Sequence, residues 1–429
     1  MIHAGCGWSK RGWRSEGSNQ CSYPLLGIVI TAILRFCLVL SFASWLLPSC
    51  AAPASPAISA ESAILVDSIT GKVLYEKNAH KRRPPASTTK MMTAILALES
   101  TRLDTVVCAS SNACCTPFGS LHLQPNETMT LDDLLTGTLL RSANDGAVCI
   151  AETVAGSEAK FVDMMNRKAK EIGANDTHFI NPHGLYVAGH YSTAYDLALI
   201  ARYGIQIPEF NRIVKTKTVV LDRSIDKKDR FVKNTARFLW KFDGADGIKT
   251  GYTREAGHCF VGSATRNGWR LISVVMKSKD PGMETISLMN YGFRNFKGVT
   301  FIPPGKPIRT VPVVGGVRPS VAVQGIRPLG VVMRRQDRMD AHSEVVLQRA
   351  VAPIIKGEKL GTLTAYLNGK KIDSIDLVAM QPVARTLGAT IWAYTRIVGS
   401  IIGVILLGCV GYGRAIAKTS RSRRRSVQA

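Results

Sequence analysis

The chain has 429 residues, of which 46% are hydrophobic, so it can form the cores of two ordinary domains and is not disordered as a whole. Its 55 lysines and arginines outnumber its 31 aspartates and glutamates, and the net charge of +24 favours an anionic partner such as a membrane surface, an acidic polymer or a nucleic acid. The sequence has no zinc finger, RNA-binding signature or glycine-rich phosphate loop, so we expect no nucleic acid partner.

The N-terminal segment has the pattern of a secretory signal. It begins with basic residues, continues through an apolar run at 25–47 that only Arg35 interrupts, and ends in small residues at 48–54. We therefore assign residues 1–57 to a signal segment with a short linker, cleaved between Ala51 and Ala57, and expect an exported protein. The apolar run is also long enough to remain as a membrane anchor, although Arg35 disfavours that alternative.

The next stretch predicts a hairpin followed by a helix. Residues 63–67 and 72–75 flank a turn that ends at Gly71, which is typical of a β-hairpin. The prolines before Ser87 suit the approach to a helix, and the apolar residues at 91–98 continue it. Ser87 and Lys90 are three residues apart and would share one face of that helix. Taken alone, this spacing favours a capping serine followed by a surface lysine.

The segment from 103 to 300 predicts more helices and then strands. Residues 103–129 look irregular, and Thr130 caps a helix that leads to Ser142-Ala143-Asn144. Further helical patterns cover 147–154, 161–172, 193–203 and 284–293, whereas 248–252, 258–265 and 269–276 are predicted strands, the last two joined by a hairpin turn. We therefore expect an α+β domain at 58–300, with an antiparallel sheet built from both ends of the segment and covered by helices from its middle.

A second, β-rich domain is predicted at 301–384. The proline-rich stretch 303–307 marks its start, and short β patterns follow at 311–314, 321–323, 331–333 and 345–347. Residues 362–377 form a predicted hairpin that turns at Asn368-Gly369. This part has no cluster of chemically reactive residues, so we interpret it as a small β-sandwich that serves as a spacer or docking module.

The C-terminal segment 385–429 is predicted to be a membrane anchor. Residues 397–412 are apolar, Trp392, Tyr394 and Tyr412 suit the two membrane interfaces, and a basic tail follows. In an exported chain, this order leaves the tail in the cytoplasm. The alternative is an amphipathic helix that lies in the interface, because Arg396 and several glycines interrupt the apolar run.

Three short motifs carry the chemistry: Ser87-x-x-Lys90, Ser142-Ala143-Asn144 and Lys249-Thr250-Gly251. Each is common alone, but together, at a helix start, a helix–helix loop and a strand, they form a specific pattern. The chain resembles the serine penicillin-recognising enzymes, and most closely the low-molecular-mass D-alanyl-D-alanine carboxypeptidases. The resemblance extends from about residue 57 to 383 and includes 181–185, 191–197 and 243–252. It implies the fold of serine β-lactamases and penicillin-binding proteins.

The resemblance also implies an acyl-enzyme mechanism. Ser87 would attack the carbonyl between the two D-alanines of a peptidoglycan stem pentapeptide, and Lys90, as a free amine, would accept its proton. Ser142 would pass a proton to the leaving amine, and Asn144 would hold the substrate amide. Water would then hydrolyse the ester. β-Lactam antibiotics would act as inhibitors, because their ring imitates the scissile amide.

The third motif would bind the substrate end. The resemblance places Lys249 and Thr250 against the terminal carboxylate, and Gly251 lets the substrate backbone approach the strand. The backbone N–H groups of Ser87 and Tyr252 would form the oxyanion hole.

Other functions on the same fold are open to test. A class A β-lactamase would carry a Glu-x-x-Leu-Asn sequence, which is absent between Asn144 and Lys249. A transpeptidase would need an acceptor site that one sequence does not exclude. A non-catalytic wall-binding scaffold would have no need of the six motif side chains, all of which are present. A cytoplasmic amidase is disfavoured by the export signal.

We expect no metal and no cofactor, since the chain has neither His-Glu-x-x-His nor Cys-x-x-Cys. His183 is interpreted as a loop hydrogen-bonding residue and His258 as a packing residue on a strand. Five cysteines would lie outside the membrane, where disulfides can form, and their odd number leaves at least one unpaired within the chain. They are Cys108, Cys114, Cys115, Cys149 and Cys259, and Cys149 is equally well explained as a buried small hydrophobe.

Overall fold

A computed structural model describes residues 55–225, 228–302, 305–337 and 339–426 of the chain. The predicted signal sequence, up to residue 54, lies outside the described residues. The elements of the first part, in chain order, are β1 (Ser62–Asp67), β2 (Val73–Lys77), α1 (Lys90–Ser100), β3 (Val106–Cys108), α2 (Ser111–Cys114), β4 (Thr128–Thr130), α3 (Leu131–Arg141), α4 (Asn144–Ala155), α5 (Glu158–Ile172), α6 (Ala194–Gly204), α7 (Pro208–Lys215), β5 (Thr218–Val220), β6 (Phe231–Lys233), α8 (Phe238–Lys241), β7 (Ala245–Thr253), β8 (Gly257–Arg266), β9 (Trp269–Ser278) and α9 (Pro281–Asn295).

An antiparallel sheet with the strand order β2-β1-β9-β8-β7 forms the centre of this part. It combines strands from both ends of the segment, which confirms the predicted architecture. Successive residues of β1 face opposite sides: Ile64 packs in a core with the middle helices, and Leu65 packs in a second core with Leu288 of α9. The sheet is therefore covered on both faces, by the middle helices on one and by α9 on the other.

Several local predictions are confirmed. The β1–β2 and β8–β9 hairpins form as expected, and the Thr130 hydroxyl accepts the Asp133 N–H at 3.1 Å to cap α3.

Other local predictions of secondary structure are wrong or incomplete. Ser87 does not cap the helix, since it lies in a 3₁₀ turn (Ala86–Thr89) that precedes α1. The segment 103–129 contains β3, α2 and the start of β4, and α7 had not been predicted, because elements this short give too few residues to establish a period.

The C-terminal part consists of β10 (Phe296–Ile302), β11 (Arg309–Val314), β12 (Ser320–Gly325), β13 (Leu329–Arg334), β14 (Ala341–Leu347), β15 (Ala350–Val351), β16 (Lys359–Leu367), β17 (Lys370–Ala379) and α10 (Leu387–Ser426). Six strands form a sheet in the order β14-β16-β17-β12-β11-β15, and β10 pairs with β13. A separate apolar core lies between these strands. The β16–β17 hairpin turns through Asn368 and Gly369, both at positive φ, as the Asn-Gly pair predicts.

Helix α10 contains a candidate membrane span, Leu387–Tyr412, none of which is buried against the rest of the protein. At about 1.5 Å per residue its 26 residues extend roughly 39 Å, which exceeds the hydrocarbon core of about 30 Å.

Candidate active site

A cleft of about 650 Å³ opens between β7, the 3₁₀ turn and the loop that joins α3 to α4. The residues predicted from the sequence that line it are Ser87, Ser142, Asn144, Thr250, Gly251 and Tyr252. Lys90 and Lys249 are almost fully buried. The three motifs, although up to 164 positions apart in the chain, therefore meet at one site.

Ser87 and Lys90 lie one turn apart in the chain, and their side chains contact each other. Lys90 Nζ lies 3.0 Å from Ser87 Oγ, 2.6 Å from Asn144 Oδ1 and 2.7 Å from the His183 carbonyl oxygen. The two carbonyl oxygens can only accept hydrogen bonds, whereas the Ser87 hydroxyl can also donate. A neutral amine has two N–H groups and one lone pair, so these neighbours direct its lone pair at Ser87. This is the arrangement that a general base needs.

The charge state of Lys90 agrees with this geometry. Burial, together with the positive charge of Lys249, holds the pKa of Lys90 well below its ordinary value, and the Asp145 carboxylate partly opposes this effect. These effects favour the free amine of Lys90 over its charged form.

Asn144 is held at both ends of its side chain. Its Oδ1 accepts from Lys90, and its Nδ2 donates to the Pro117 carbonyl at 2.9 Å. Ser142 adopts a left-handed conformation, with φ of 65°, between α3 and α4, and a Cβ at Gly119 would lie 2.9 Å from its carbonyl oxygen. The α3–α4 turn and the segment around Gly119 are thus packed tightly together at the cleft.

The β7 motif approaches the nucleophile closely. A Cβ at Gly251 would lie 3.0 Å from the Ser87 backbone nitrogen, so only glycine fits there without displacement. Lys249 Nζ donates to the Thr250 carbonyl at 3.0 Å, and burial lowers the pKa of Lys249 to about 7. The Thr250 hydroxyl contacts the hydroxyl of Thr235 at 3.0 Å.

Two residues that had not been predicted complete the site. Thr235 contacts Thr250 at the cleft. The buried Asp145 accepts hydrogen bonds from the Ser120 hydroxyl (2.6 Å) and from the backbone N–H groups of Leu121 and Leu123. Asp145 follows Asn144 directly, so its position beside a motif was the available signal. Thr235 had no comparable signal.

The structure agrees with the prediction for His183 and contradicts the prediction for His258. The His183 ring accepts a hydrogen bond from the Leu185 N–H at 3.1 Å, as expected for a loop residue, and burial with the nearby Lys90 lowers its pKa to about 3. His258 is not a packing residue: its exposed ring lies against Tyr252, with 4.5 Å between ring centroids, and lines the cleft. His258 is the second residue of β8 and pairs with Tyr252, at an end of the strand where side chains are no longer covered, which explains the difference.

Among the described residues, no group of histidine, cysteine and acidic side chains is arranged to hold a metal ion. The described cysteines are free thiols, and Cys149 packs in the core beneath the cleft helices.

Comparison with known proteins places this site in a family. Residues 49–280 match the family model described as D-alanyl-D-alanine carboxypeptidase, and residues 296–385 match the model of the C-terminal domain of penicillin-binding protein 5. The chain is 34% identical over 335 residues to the D-alanyl-D-alanine carboxypeptidase DacF of Bacillus subtilis, a match that covers 76% of this chain and 84% of that protein.

Solved structures give the same result. Penicillin-binding protein 5 of Haemophilus influenzae aligns with a TM-score of 0.59 at 30% identity, over 77% of this chain and 99% of that one. The Streptomyces K15 DD-transpeptidase aligns with a TM-score of 0.54 at 31% identity, over 56% of this chain and 99% of that one.

Proposed function

Because the chain belongs to the D-alanyl-D-alanine carboxypeptidase family, we propose that it removes the terminal D-alanine from peptidoglycan stem pentapeptides through an acyl-enzyme on Ser87. The observation that carries this proposal is the buried Lys90 Nζ, which lies 3.0 Å from the Ser87 hydroxyl while two carbonyl oxygens occupy its other contacts. Family membership also implies that the enzyme acts outside the cytoplasm, where peptidoglycan lies, and that β-lactams bind it.

Acylation follows from the positions of the side chains. Ser87 Oγ attacks the carbonyl carbon between the two D-alanines, and its proton passes to Lys90 Nζ. The backbone N–H groups of Ser87 and Tyr252 stabilise the oxyanion. The C–N bond then breaks as the proton on Lys90 Nζ passes through the Ser142 hydroxyl to the leaving D-alanine amine, which leaves Lys90 neutral again. Water, deprotonated by Lys90, hydrolyses the Ser87 ester and restores the hydroxyl.

The substrate is positioned by β7 and α4. Lys249 and the Thr250 hydroxyl bind the terminal carboxylate, and Gly251 leaves room for the peptide backbone. Asn144 already bonds Lys90 and Pro117, so it must exchange its Pro117 contact to hold the substrate amide. We assign it the additional role of positioning Lys90.

A β-lactamase activity is the main alternative, and the cleft does not favour it. Among the described residues that line the cleft, Asp280 is the only carboxylate, and its Oδ1 accepts the Met283 N–H at 3.0 Å. A side chain engaged in this way caps α9 and is poorly placed to activate a deacylating water.

The proposed organisation of the chain follows the earlier boundaries: a signal segment at 1–57, a catalytic domain at 58–300, a β-rich domain at 301–384 and an anchor at 385–429. Helix α10 would hold the enzyme at the extracytoplasmic face of the membrane, with its basic end in the cytoplasm.

The test combines two assays on the wild type and Ser87→Ala. The wild type should release D-alanine from a stem pentapeptide and form a stable penicillin adduct, which mass spectrometry should locate on Ser87. Ser87→Ala should do neither. Rapid steady-state penicillin hydrolysis would instead identify a β-lactamase, cross-linked product on addition of an acceptor amine would identify a transpeptidase, and a wild type that neither labels nor releases D-alanine would indicate a scaffold.

A further inference from the structure

The β-rich part exposes a cluster of large apolar side chains at the point where α10 begins. Their exposed fractions range from 47% at Val314 to 82% at Leu387. We call this cluster the tip patch, and its members are Val314, Val317, Val351, Ile355 and Leu387. A group of this kind on a soluble surface marks a contact with another phase or molecule.

Backbone pairing brings these residues together. Val314 of β11 is in register with Val351 of β15, at one edge of the six-stranded sheet. The Val317 N–H donates to the Ala384 carbonyl at 2.9 Å, and Ile354, next to Ile355, exchanges two backbone hydrogen bonds with Val383. The patch is therefore one surface built from three chain segments.

The same hydrogen bonds fix the start of α10 against the patch. The Thr386 N–H donates to the Gly315 carbonyl at 2.9 Å, and Arg385 Nε donates to the Ala352 carbonyl at 2.6 Å. The candidate span begins at the next residue, Leu387. A helix that enters a bilayer here necessarily brings the tip patch to the membrane surface.

The charges around the patch match a lipid surface. Exposed cations border it at Arg318, Arg349, Lys356 and Arg385. Within 314–319, 349–358 and 382–387 the only acidic residue is Glu358, whose carboxylate accepts the Ile355 N–H at 2.9 Å. Apolar side chains bordered by arginine and lysine are typical of surfaces that rest in the interface of an anionic bilayer.

We propose that the tip patch rests in the outer interface of an anionic lipid bilayer, so that the β-rich part contacts lipid directly. This inference depends on the proposed anchor. It assigns a role to a part of the chain in which the sequence showed no chemistry. The patch and α10 together hold the β-rich part at a fixed tilt, because two attachments restrict rotation that one helix would allow.

The experiment uses the full-length protein in nanodiscs that contain phosphatidylglycerol. The photo-cross-linking amino acid p-benzoylphenylalanine replaces Val317 or Ile355, and mass spectrometry measures lipid adducts after illumination. Val346, 61% exposed on β14 at the opposite edge of the sheet, is the matched control, and Ile401 within α10 reports on the anchor.

We expect lipid adducts at 317, 355 and 401 and none at 346. Adducts at 401 without any at 317 and 355 would overturn the proposed seating and leave the anchor intact. No adduct at 401 would show that the anchor itself is wrong. Cross-links from 317 or 355 to protein instead of lipid would identify a second chain as the occupant and would also overturn the proposal.

The basic border gives an independent test. With the cross-linker at 355, the variant Arg318→Glu/Lys356→Glu should lower the lipid adduct yield several-fold in anionic nanodiscs. The yield at 401 should not change. An undiminished yield at 355 would contradict the attraction of the patch to anionic lipid.

Discussion

Two buried lysines lie close enough in this site for the charge of one to depress the pKa of the other, and their roles require opposite charge states. In the proposed mechanism, Lys90 must lose its proton to activate Ser87, whereas Lys249 must keep its proton to bind a carboxylate. Burial acts against the charge on both, and the positive charge of Lys249 further lowers the pKa of Lys90. In that mechanism the substrate carboxylate would favour the charged form of Lys249, so substrate binding would itself set the required difference in charge between the two amines.

The first prediction concerns the alkaline side of the pH profile. Lys249, with a pKa of about 7 in the free enzyme, loses its proton as the pH rises through that value, so kcat/KM should fall at higher pH. In Lys249→Arg the guanidinium stays protonated to about pH 12, so this alkaline decline should disappear, whatever the absolute rate. The measurement is kcat/KM for pentapeptide from pH 6 to 9. A decline that persists unchanged in Lys249→Arg would show that another group causes it.

The second prediction concerns Asp145. Asp145→Asn loses the charged hydrogen bonds that hold residues 120–123 beside the cleft, so kcat/KM should fall about 10- to 100-fold. The variant also loses the negative charge that raises the pKa of Lys90. The fall in kcat/KM on the acid side of the pH profile should therefore move to lower pH. A purely structural role of Asp145 would leave the pH of this acid-side fall unchanged.

Asp133→Asn is the matched control for Asp145→Asn, because Asp133 bonds Thr130 at the start of α3 instead. It should leave the pH profile in place. If the acid-side fall in kcat/KM stays fixed in Asp145→Asn, or moves equally in Asp133→Asn, the proposed effect of the Asp145 charge on Lys90 is contradicted.

At this scale the sequence predicted residue identities better than contacts. The three motifs identified the residues that meet in the cleft, because their types and spacings are specific in combination. The Thr235–Thr250 contact and the Asp145 bonds to residues 120–123 could not be predicted, because they join separate segments whose approach depends on the whole tertiary structure. The exposed end of the β7–β8 pair likewise decided the position of His258.

At the scale of elements, the site depends on how closely β7 approaches the 3₁₀ turn. Ala86 has a φ of 49° in that turn, and a Cβ at Gly184 would lie 1.9 Å from its carbonyl oxygen, so the loop at 181–185 fixes the turn from one side. Gly251 fixes the distance from the other side. The long helices and strands could be predicted from their periods, but this short turn could not, because tertiary contacts stabilise it.

The third prediction tests that approach. In Gly251→Ala the new Cβ would lie 3.0 Å from the Ser87 nitrogen and 3.2 Å from the Thr88 nitrogen, so β7 or the turn must shift. A shift that misplaces the oxyanion donors should slow penicillin acylation about tenfold or more. The melting temperature should fall by a few degrees only, since the crowding is local and the Gly251 backbone is not in a conformation that requires glycine.

The measurement is the second-order rate of acylation by a fluorescent penicillin, with Gly388→Ala as control because nothing lies within 4 Å of that position. Acylation at the wild-type rate in Gly251→Ala would show that the cleft tolerates a wider separation and that the close approach has no catalytic role.

At the scale of the whole molecule, the charge and the apolar surface are concentrated at the C-terminal end. In the proposed anchoring, the exposed candidate span of α10 and the tip patch would meet the membrane, whereas the cores of the sheet domains contain no residue of either. The sequence predicted the helix from its apolar run. It could not predict the tip patch, because backbone hydrogen bonds between separate segments of the chain bring those residues together.

The absence of α10 from the cores of the sheet domains leads to the last prediction. A chain that spans residues 58–386 lacks α10, none of whose candidate span is buried, so it should fold and acylate with penicillin at the rate of the chain that spans 58–429. It should remain in the supernatant when it is centrifuged with phosphatidylglycerol liposomes, whereas the longer chain should sediment, because the few apolar side chains of the tip patch bind lipid weakly without the helix. The longer chain with Ser87→Ala should sediment without acylation, which separates the two properties. Sedimentation of the truncated chain would place the anchor elsewhere, and a loss of acylation on truncation would show that α10 supports the catalytic cleft.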